Sequence, residues 1–150
     1  MRIALLKWMI ETAVPVLNVF RNPSPWPFTM EQHRLMPAGS FGNDLAMFLD
    51  ERKLQLLPMY EAHDATHVLL GYGTLPLDEL KLQAFMVGNG SVTFAGRILF
   101  VLGLLIVPDE WPILRAELSR GKTAKRIADY KLEDFAMRKT GVVKATLGLN

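Results

Sequence analysis

The chain of 150 residues contains no cysteine. This absence excludes disulfide bonds and thiolate metal sites, and it leaves the redox state of the protein's compartment open. An excess of charge is also missing, because 17 basic and 15 acidic residues leave a formal net charge of only +2. Such a balance gives no electrostatic reason to expect a polyanionic partner, so we expect no binding to nucleic acid.

Long apolar runs are missing as well. The most apolar segment, residues 98–107, has ten consecutive hydrophobic or glycine residues, whereas a bilayer span needs roughly 20. We therefore expect a central core helix here and no transmembrane helix. We expect no signal peptide at the N-terminus, because Lys7 and Glu11 interrupt its apolar region. We expect a bacterial protein that is cytoplasmic or peripheral on the inner face of a membrane.

The sequence also lacks internal repeats, and it has no long stretch in which apolar and polar residues alternate as they do in a strand. Apolar residues recur instead at helical spacing. Helices are predicted over residues 3–20, 43–53, 58–71, 75–87, 92–107 and 109–120, with one or two more over 122–139. The first of these helices is interrupted at Pro15, and the helix over 109–120 is stopped by Gly121. The sequence predicts an all-α fold, a single-domain bundle of about six to eight helices over residues 1–150. Residues 1–30 form an N-terminal helix and a proline-rich connector, and residues 35–150 form the core.

What the chain does contain is a compact set of metal-ligating side chains. His63, Asp64 and His67 lie within five residues, and Glu79 follows twelve residues after His67. On a helix that advances ~100° per residue, His67 lies between His63 and Asp64 on one face, among apolar neighbours. Ionisable groups on an inward face are costly unless they are paired or bound to a metal. A hydrogen-bonded core histidine is the alternative that the pattern leaves open.

Glu79 is predicted to lie on a second helix. Gly71 suits the left-handed end of the first helix, and Thr74 is expected to cap the next one. A tight reversal then brings the apolar face around Glu79 against the histidines. We therefore predict a metal site between two adjacent helices. Its ligands are His63, Asp64, His67 and Glu79. Because thiolates are absent, these ligands suit zinc, iron, manganese or cobalt better than Cu(I). Zinc is the expected metal, and the other three are alternatives.

The same residues resemble the signature of a known family. The segment at 63–74 reads HDATHVLLGYGT, and the segment at 76–85 reads PLDELKLQAF. Together they are similar to the motif of the coenzyme Q (ubiquinone) biosynthesis protein 4 family, which is HDxxH, eleven residues, then Glu. Gly71, Tyr72 and the run from Leu82 to Phe85 match as well.

The resemblance implies an all-helical protein that binds a divalent metal and a prenyl lipid in ubiquinone biosynthesis. One implied role is that of a lyase for the C1 oxidative decarboxylation of a polyprenylated 4-hydroxybenzoate-type ring, with Asp64 or Glu79 handling the proton. The other is a non-catalytic lipid-binding scaffold with a structural metal. Implied partners are a prenylated quinone precursor or isoprenoid lipid, other quinone-biosynthesis proteins, a membrane surface and further copies of the chain.

A hydrophobic lipid pocket is expected beside the metal. We predict that the helix over 92–107 lines it together with Leu75, Leu82 and Met86. Gly96 and Gly103 lie seven residues apart on that helix and have no side chains, so they could leave a groove for an isoprenoid tail. Close packing against another helix would use the same two glycines, and the sequence leaves both alternatives open.

Overall fold

A computed structural model describes residues 1–18 and 24–149. Within these residues the chain forms eight α-helices and no strand, apart from an isolated antiparallel bridge between Ser40 and Lys139. The helices are α1 (Arg2–Asn18), α2 (Met30–Arg34), α3 (Phe41–Glu51), α4 (Glu61–Leu70), α5 (Pro76–Asn89), α6 (Phe94–Ile106), α7 (Trp111–Thr123) and α8 (Thr140–Leu147). The predicted all-α class is confirmed.

The chain divides into two compact units. The first comprises Met1–Arg21 and Tyr72–Ala128, and the second comprises Asn22–Gly71 and Asp129–Asn150. Helix α1 runs through Pro15 without the predicted interruption. The end of the predicted first helix and the start of the proline-rich connector lie outside the described residues. The prediction of one domain over residues 1–150 stays a prediction.

In the first unit, α5 and α7 approach each other closely at two glycines. A Cβ atom on Gly88 would lie within 3.0 Å of the carbonyl oxygen of Leu118, and one on Gly121 within 3.0 Å of the carbonyl oxygen of Phe85. Gly121 therefore serves helix packing. The prediction that it ends its helix is wrong, because α7 continues to Thr123.

Helix α6 packs against α1 and α5 around the core of the same unit. This core contains Leu6, Met9, Leu80, Ala84, Leu99, Phe100, Val107 and Leu114. The two glycines of α6 face α5, where a Cβ on Gly103 would lie within 3.0 Å of Leu80 and one on Gly96 within 3.0 Å of Gln83. The space beside these glycines is filled by α5 side chains. A lipid groove at Gly96 and Gly103 was therefore the wrong alternative, and helix packing is confirmed.

In the second unit, α3 packs against α2, α4 and α8. Helix α2, which the sequence did not predict, begins with a capping box. The Thr29 hydroxyl accepts from the Gln32 N–H at 3.2 Å, and the Gln32 side chain accepts from the Thr29 N–H at 2.7 Å. Helix α3 buries Phe41, Leu45 and Leu49 at four-residue spacing.

The predicted helix over residues 122–139 is wrong beyond α7. The chain there makes only two short 3₁₀ turns, Ile127–Asp129 and Leu132–Phe135. In the first unit the Asn89 side chain provides the physical reason. Its amide donates to the carbonyl oxygens of Gly121 and Lys125 at 3.1 and 2.9 Å, and its oxygen accepts from the Ile127 N–H at 2.8 Å. These bonds satisfy backbone groups that a continued helix would have paired.

Among the described residues, no single helix is both long and apolar enough to cross a membrane. Helices α5 and α6 reach that length and composition only together, and the chain bends by 118° between them.

Candidate metal centre

The first half of the motif lies on α4, whose ends are sharply defined. Met59 has a φ of +78°, which is uncommon for a residue with a long side chain, and α4 begins two residues later at Glu61. Gly71 ends the helix in the left-handed conformation, with a φ of 73°, and its N–H donates to the His67 carbonyl at 2.9 Å. The predicted glycine cap is confirmed, and the helix places His63 and His67 in adjacent turns of one face.

The two imidazoles approach each other through their Nε2 atoms. These atoms are 3.2 Å apart, the ring centroids are 4.8 Å apart and the ring planes are inclined by 80°. His67 is 3% exposed, and His63 is half-buried. Two nitrogens that share a tetrahedral zinc ion at 2.0–2.1 Å lie about 3.3 Å from each other. The observed separation therefore fits a pair of nitrogen ligands to one cation.

Glu79 lies in the first turn of α5, where the start of the helix differs from the prediction. The residue before the helix is Leu75 rather than Thr74, and it makes no side-chain cap hydrogen bond. Pro76 explains the shift, because a residue that precedes proline favours the extended backbone that Leu75 adopts, with a φ of −72° and a ψ of 155°. The carboxylate of Glu79 is half-buried and is favoured near the positive end of the helix.

A buried amide, whose role the sequence pattern did not predict, orients that carboxylate. Gln83 Nε2 donates to Glu79 Oε1 at 2.8 Å, and Gln83 is 7% exposed. Its side-chain oxygen lies where a Cβ atom of residue 96 would be, so glycine at this position leaves room for the amide. The available sequence signal was the four-residue spacing between Glu79 and Gln83.

Three of the four predicted ligands form a group that could hold a metal ion. His63, His67 and Glu79 each offer one ligand atom, and these atoms all lie within 4.8 Å of one another. Asp64 is half-buried in the first turn of α4, and its N–H donates to the Tyr60 carbonyl at 3.0 Å. The set of four ligands and the proton-handling role of Asp64 or Glu79 stay predictions.

Tyr72, which follows α4 in the chain, belongs to a polar cluster of the first unit. Its hydroxyl donates to the Glu117 carboxylate and accepts from Arg120 Nη1 at 3.0 Å. Burial, and secondarily the hydrogen bond to Glu117, raises the pKa of Tyr72 well above its ordinary value. The phenol therefore remains a neutral donor, and its hydrogen bonds tie Tyr72 to α7.

The first unit also contains an apolar cavity of about 240 Å³ between α6 and α7. It is lined by Phe100, Leu104, Trp111, Leu114, Arg115 and Leu118. The sequence predicted a lipid pocket lined by α6 together with Leu75, Leu82 and Met86. Helix α6 does line this cavity, but those three side chains do not. Leu82 lies instead in the core at 2% exposure, and Leu75 is 69% exposed. A tunnel beside the metal stays a prediction.

Comparisons with known proteins identify a solved structure with a similar fold. Neither a family model nor a curated protein matches the sequence. A crystal structure of a protein from Nostoc punctiforme PCC 73102, which is provisionally named a ubiquinone biosynthesis protein, is similar with a TM-score of 0.67 and 22% identity. The match covers 100% of this chain and 82% of that one. At this identity the likeness shows a shared fold, and membership of the coenzyme Q biosynthesis protein 4 family stays a prediction.

Proposed function

We propose that this chain binds one divalent metal ion and acts in ubiquinone biosynthesis on a prenylated aromatic acid. The observation that carries the proposal is the His63–His67 pair, whose Nε2 atoms are 3.2 Å apart and belong to a group with the Glu79 carboxylate. The similar fold of the Nostoc protein and the resemblance of the motif to a quinone-biosynthesis signature support the choice of pathway. Zinc is the metal we expect, with iron, manganese and cobalt as alternatives.

The proposed reaction is the oxidative decarboxylation at C1 of a prenylated 4-hydroxybenzoate. The ring loses carbon dioxide and gains a hydroxyl from water, and the two electrons released pass to dioxygen, which becomes hydrogen peroxide. A divalent metal would withdraw electron density from the phenolate or carboxylate of the substrate. His63, His67 and Glu79 would hold that ion and leave a position open, as catalytic sites do. Asp64, directly after His63, would then handle the proton.

The apolar surfaces of the first unit suit the prenyl part of such a substrate. Phe94, Val101 and Leu105 lie on one face of α6, and they are 74%, 52% and 73% exposed. Exposed apolar helix faces mark surfaces that contact another protein, a membrane or a lipid. We propose that this face contacts the membrane from which the lipid substrate is drawn, and that the apolar cavity beside α6 accepts part of its tail.

The scaffold alternative gives the bound metal a purely structural role. If Asp64 also coordinates, four protein ligands would close a tetrahedral structural site. The Asp64→Asn variant tests whether Asp64 handles the proton or binds the metal. Retained metal with lost turnover would indicate a catalytic Asp64, whereas metal loss would indicate a ligand.

The deciding experiment measures metal content and turnover together. Protein purified without chelators is analysed for metals, and it is then supplied with a prenylated 4-hydroxybenzoate, dioxygen and zinc, iron, manganese or cobalt. We expect about one ion per chain, release of carbon dioxide and a hydroxylated ring. The Glu79→Gln variant should lose metal, whereas Asp78→Asn, which changes the neighbouring acid that pairs with Lys81, should not. Absence of metal in the wild type contradicts the proposal, and metal with bound lipid but no turnover supports the scaffold role.

A further inference from the structure

Within the second unit, an aromatic ring of α3 lies parallel to one of the candidate ligands. The Phe48 ring and the His67 imidazole are inclined by only 23°, and their centroids are 5.9 Å apart. Offset parallel stacking is a favoured arrangement of two flat rings. Phe48 therefore restricts rotation of the His67 ring about its terminal torsion, which is otherwise broad and soft.

The phenyl ring is itself held in place by a cation. The guanidinium carbon of Arg52 lies 3.9 Å from the Phe48 ring centroid, which is a close cation–π contact. Arg52 Nη1 also donates to the Phe48 backbone carbonyl at 3.0 Å. The arginine is thus fixed at both the backbone and the ring of the same residue. This arrangement gives Phe48 a defined orientation although its side chain is only half-buried.

We infer that Phe48, secured by Arg52, is a positioning residue that fixes the imidazole plane of His67 with its Nε2 directed toward that of His63. The inference rests on the proposed metal function, which it deepens by naming what holds a ligand in its binding geometry. A ligand that is already ordered loses little entropy when the ion binds. Removing a hydrogen-bonded partner from a metal ligand typically costs 10–100-fold in affinity, and we expect the loss of a stacked ring to fall at the lower end of that range.

The test compares two identical substitutions in the same unit. Phe48→Leu removes the ring stacked on His67. Phe28→Leu removes a phenyl ring that contacts His33 edge-on, with centroids 5.6 Å apart and planes inclined by 76°. Titration of the metal-free proteins with Zn²⁺ or Co²⁺ alone should give a Kd about tenfold higher for Phe48→Leu and an unchanged Kd for Phe28→Leu. Phe48→Tyr, which keeps a flat ring, should restore the affinity.

A second measurement requires no metal and separates positioning from general stability. In the metal-free wild type, the His67 ring should give one narrow set of NMR resonances. These should broaden in Phe48→Leu, in addition to the shift that loss of the phenyl ring current causes by itself, while the thermal midpoint stays close to that of Phe28→Leu. Arg52→Ala should lower metal affinity by itself, and it should add nothing in the Phe48→Leu background, because the two side chains act through one contact.

The possible outcomes distinguish this inference from the proposed function. A wild type that binds no metal overturns the proposed function and, with it, the role of Phe48 in metal binding. A wild type that binds metal, with unchanged affinity and equally narrow His67 resonances in Phe48→Leu, overturns this inference alone. An equal loss of affinity in Phe28→Leu also overturns it, because the effect would then come from general packing.

Discussion

The histidine outside the predicted metal site, His33, lies fully buried on α2, and the sequence alone assigned it no role. Its Nδ1 lies 2.9 Å from the Thr29 carbonyl, and its ring contacts Trp26 and Phe28. Burial lowers the pKa of His33, and the hydrogen bond to Thr29 opposes that shift only in part. His33 is therefore a core residue that is held neutral by its surroundings.

This environment predicts a pH dependence of stability in the second unit. Above pH ~6.5, the ordinary histidine value, His33 is neutral in the folded and unfolded states alike, and its packing contributes fully. As the pH falls below ~6.5, the unfolded state takes up the proton first, so the free energy of unfolding decreases until the pH passes the lower pKa of the folded state. Denaturation at pH 7.5 and pH 5 should show a larger loss in the wild type than in His33→Leu. Equal losses would contradict the prediction.

Gln83 provides a second prediction at this scale. Replacing it with Leu keeps most of the side-chain volume but removes the donor that holds the Glu79 carboxylate. We expect metal affinity to fall by about 10–100-fold, as it does when outer partners of metal ligands are removed. Titration with Zn²⁺ measures the change. The exposed Gln55→Leu serves as control, and a similar loss in that variant would mean that the hydrogen bond to Glu79 is not the cause.

Local spacing predicted the residues that donate ligand atoms but not the residues that support them. His63 and His67 share a face because they are four residues apart, which any helix imposes. Phe48 and Gly96 act through contacts between different helices, and the periodicity within one helix does not encode these contacts. The sequence of one chain therefore pointed to the candidate ligands and left their supports unidentified.

At the scale of elements, the crossing of α5 and α7 depends on glycine. Gly88→Ala should destabilise the protein by about 1–3 kcal/mol, because the added methyl group would collide with the Leu118 backbone carbonyl, which cannot rotate away. Gly141→Ala on α8 is a matched control. A Cβ atom there would meet nothing within 4 Å, and alanine favours a helix over glycine by up to about 1 kcal/mol. Chemical denaturation measures both, and equal stabilities would contradict the predicted crossing.

The elements that sequence periodicity predicted well are those with a buried stripe and clear ends, α3 to α7. Their boundaries moved by a few residues where side chains outside the local pattern intervened, as Pro76 does at the start of α5. The prediction failed after α7, because the Asn89 side chain binds backbone groups about 35 residues away. The role of Gly121 was also predicted wrongly, because a glycine that permits close helix packing and a glycine that ends a helix cannot be told apart from the sequence.

At the scale of the whole molecule, each compact unit joins segments from distant parts of the chain. In the first unit Arg2 pairs with Asp109 at 2.5 Å, and α1 packs on α6. In the second, the N–H groups of Phe41 and Gly42 donate to the carbonyls of Arg138 and Ala136, each at 2.8 Å. Closing such long loops carries an entropic cost that the buried contacts must offset. Amphipathic patterns show which faces are buried but do not reveal which distant helix covers them.

A ligand that binds only the folded state stabilises it, so metal binding should be visible in thermal unfolding of the whole chain. At a free Zn²⁺ concentration of 100 times the Kd, the stabilisation is about 2.7 kcal/mol. For a chain of this size we expect the midpoint to rise by roughly 5 °C or more, and a chelator should reverse the rise. The His67→Ala variant removes a nitrogen from the group formed with His63 and Glu79, so its midpoint should not respond to Zn²⁺. An equal rise in that variant would mean that the ion binds elsewhere.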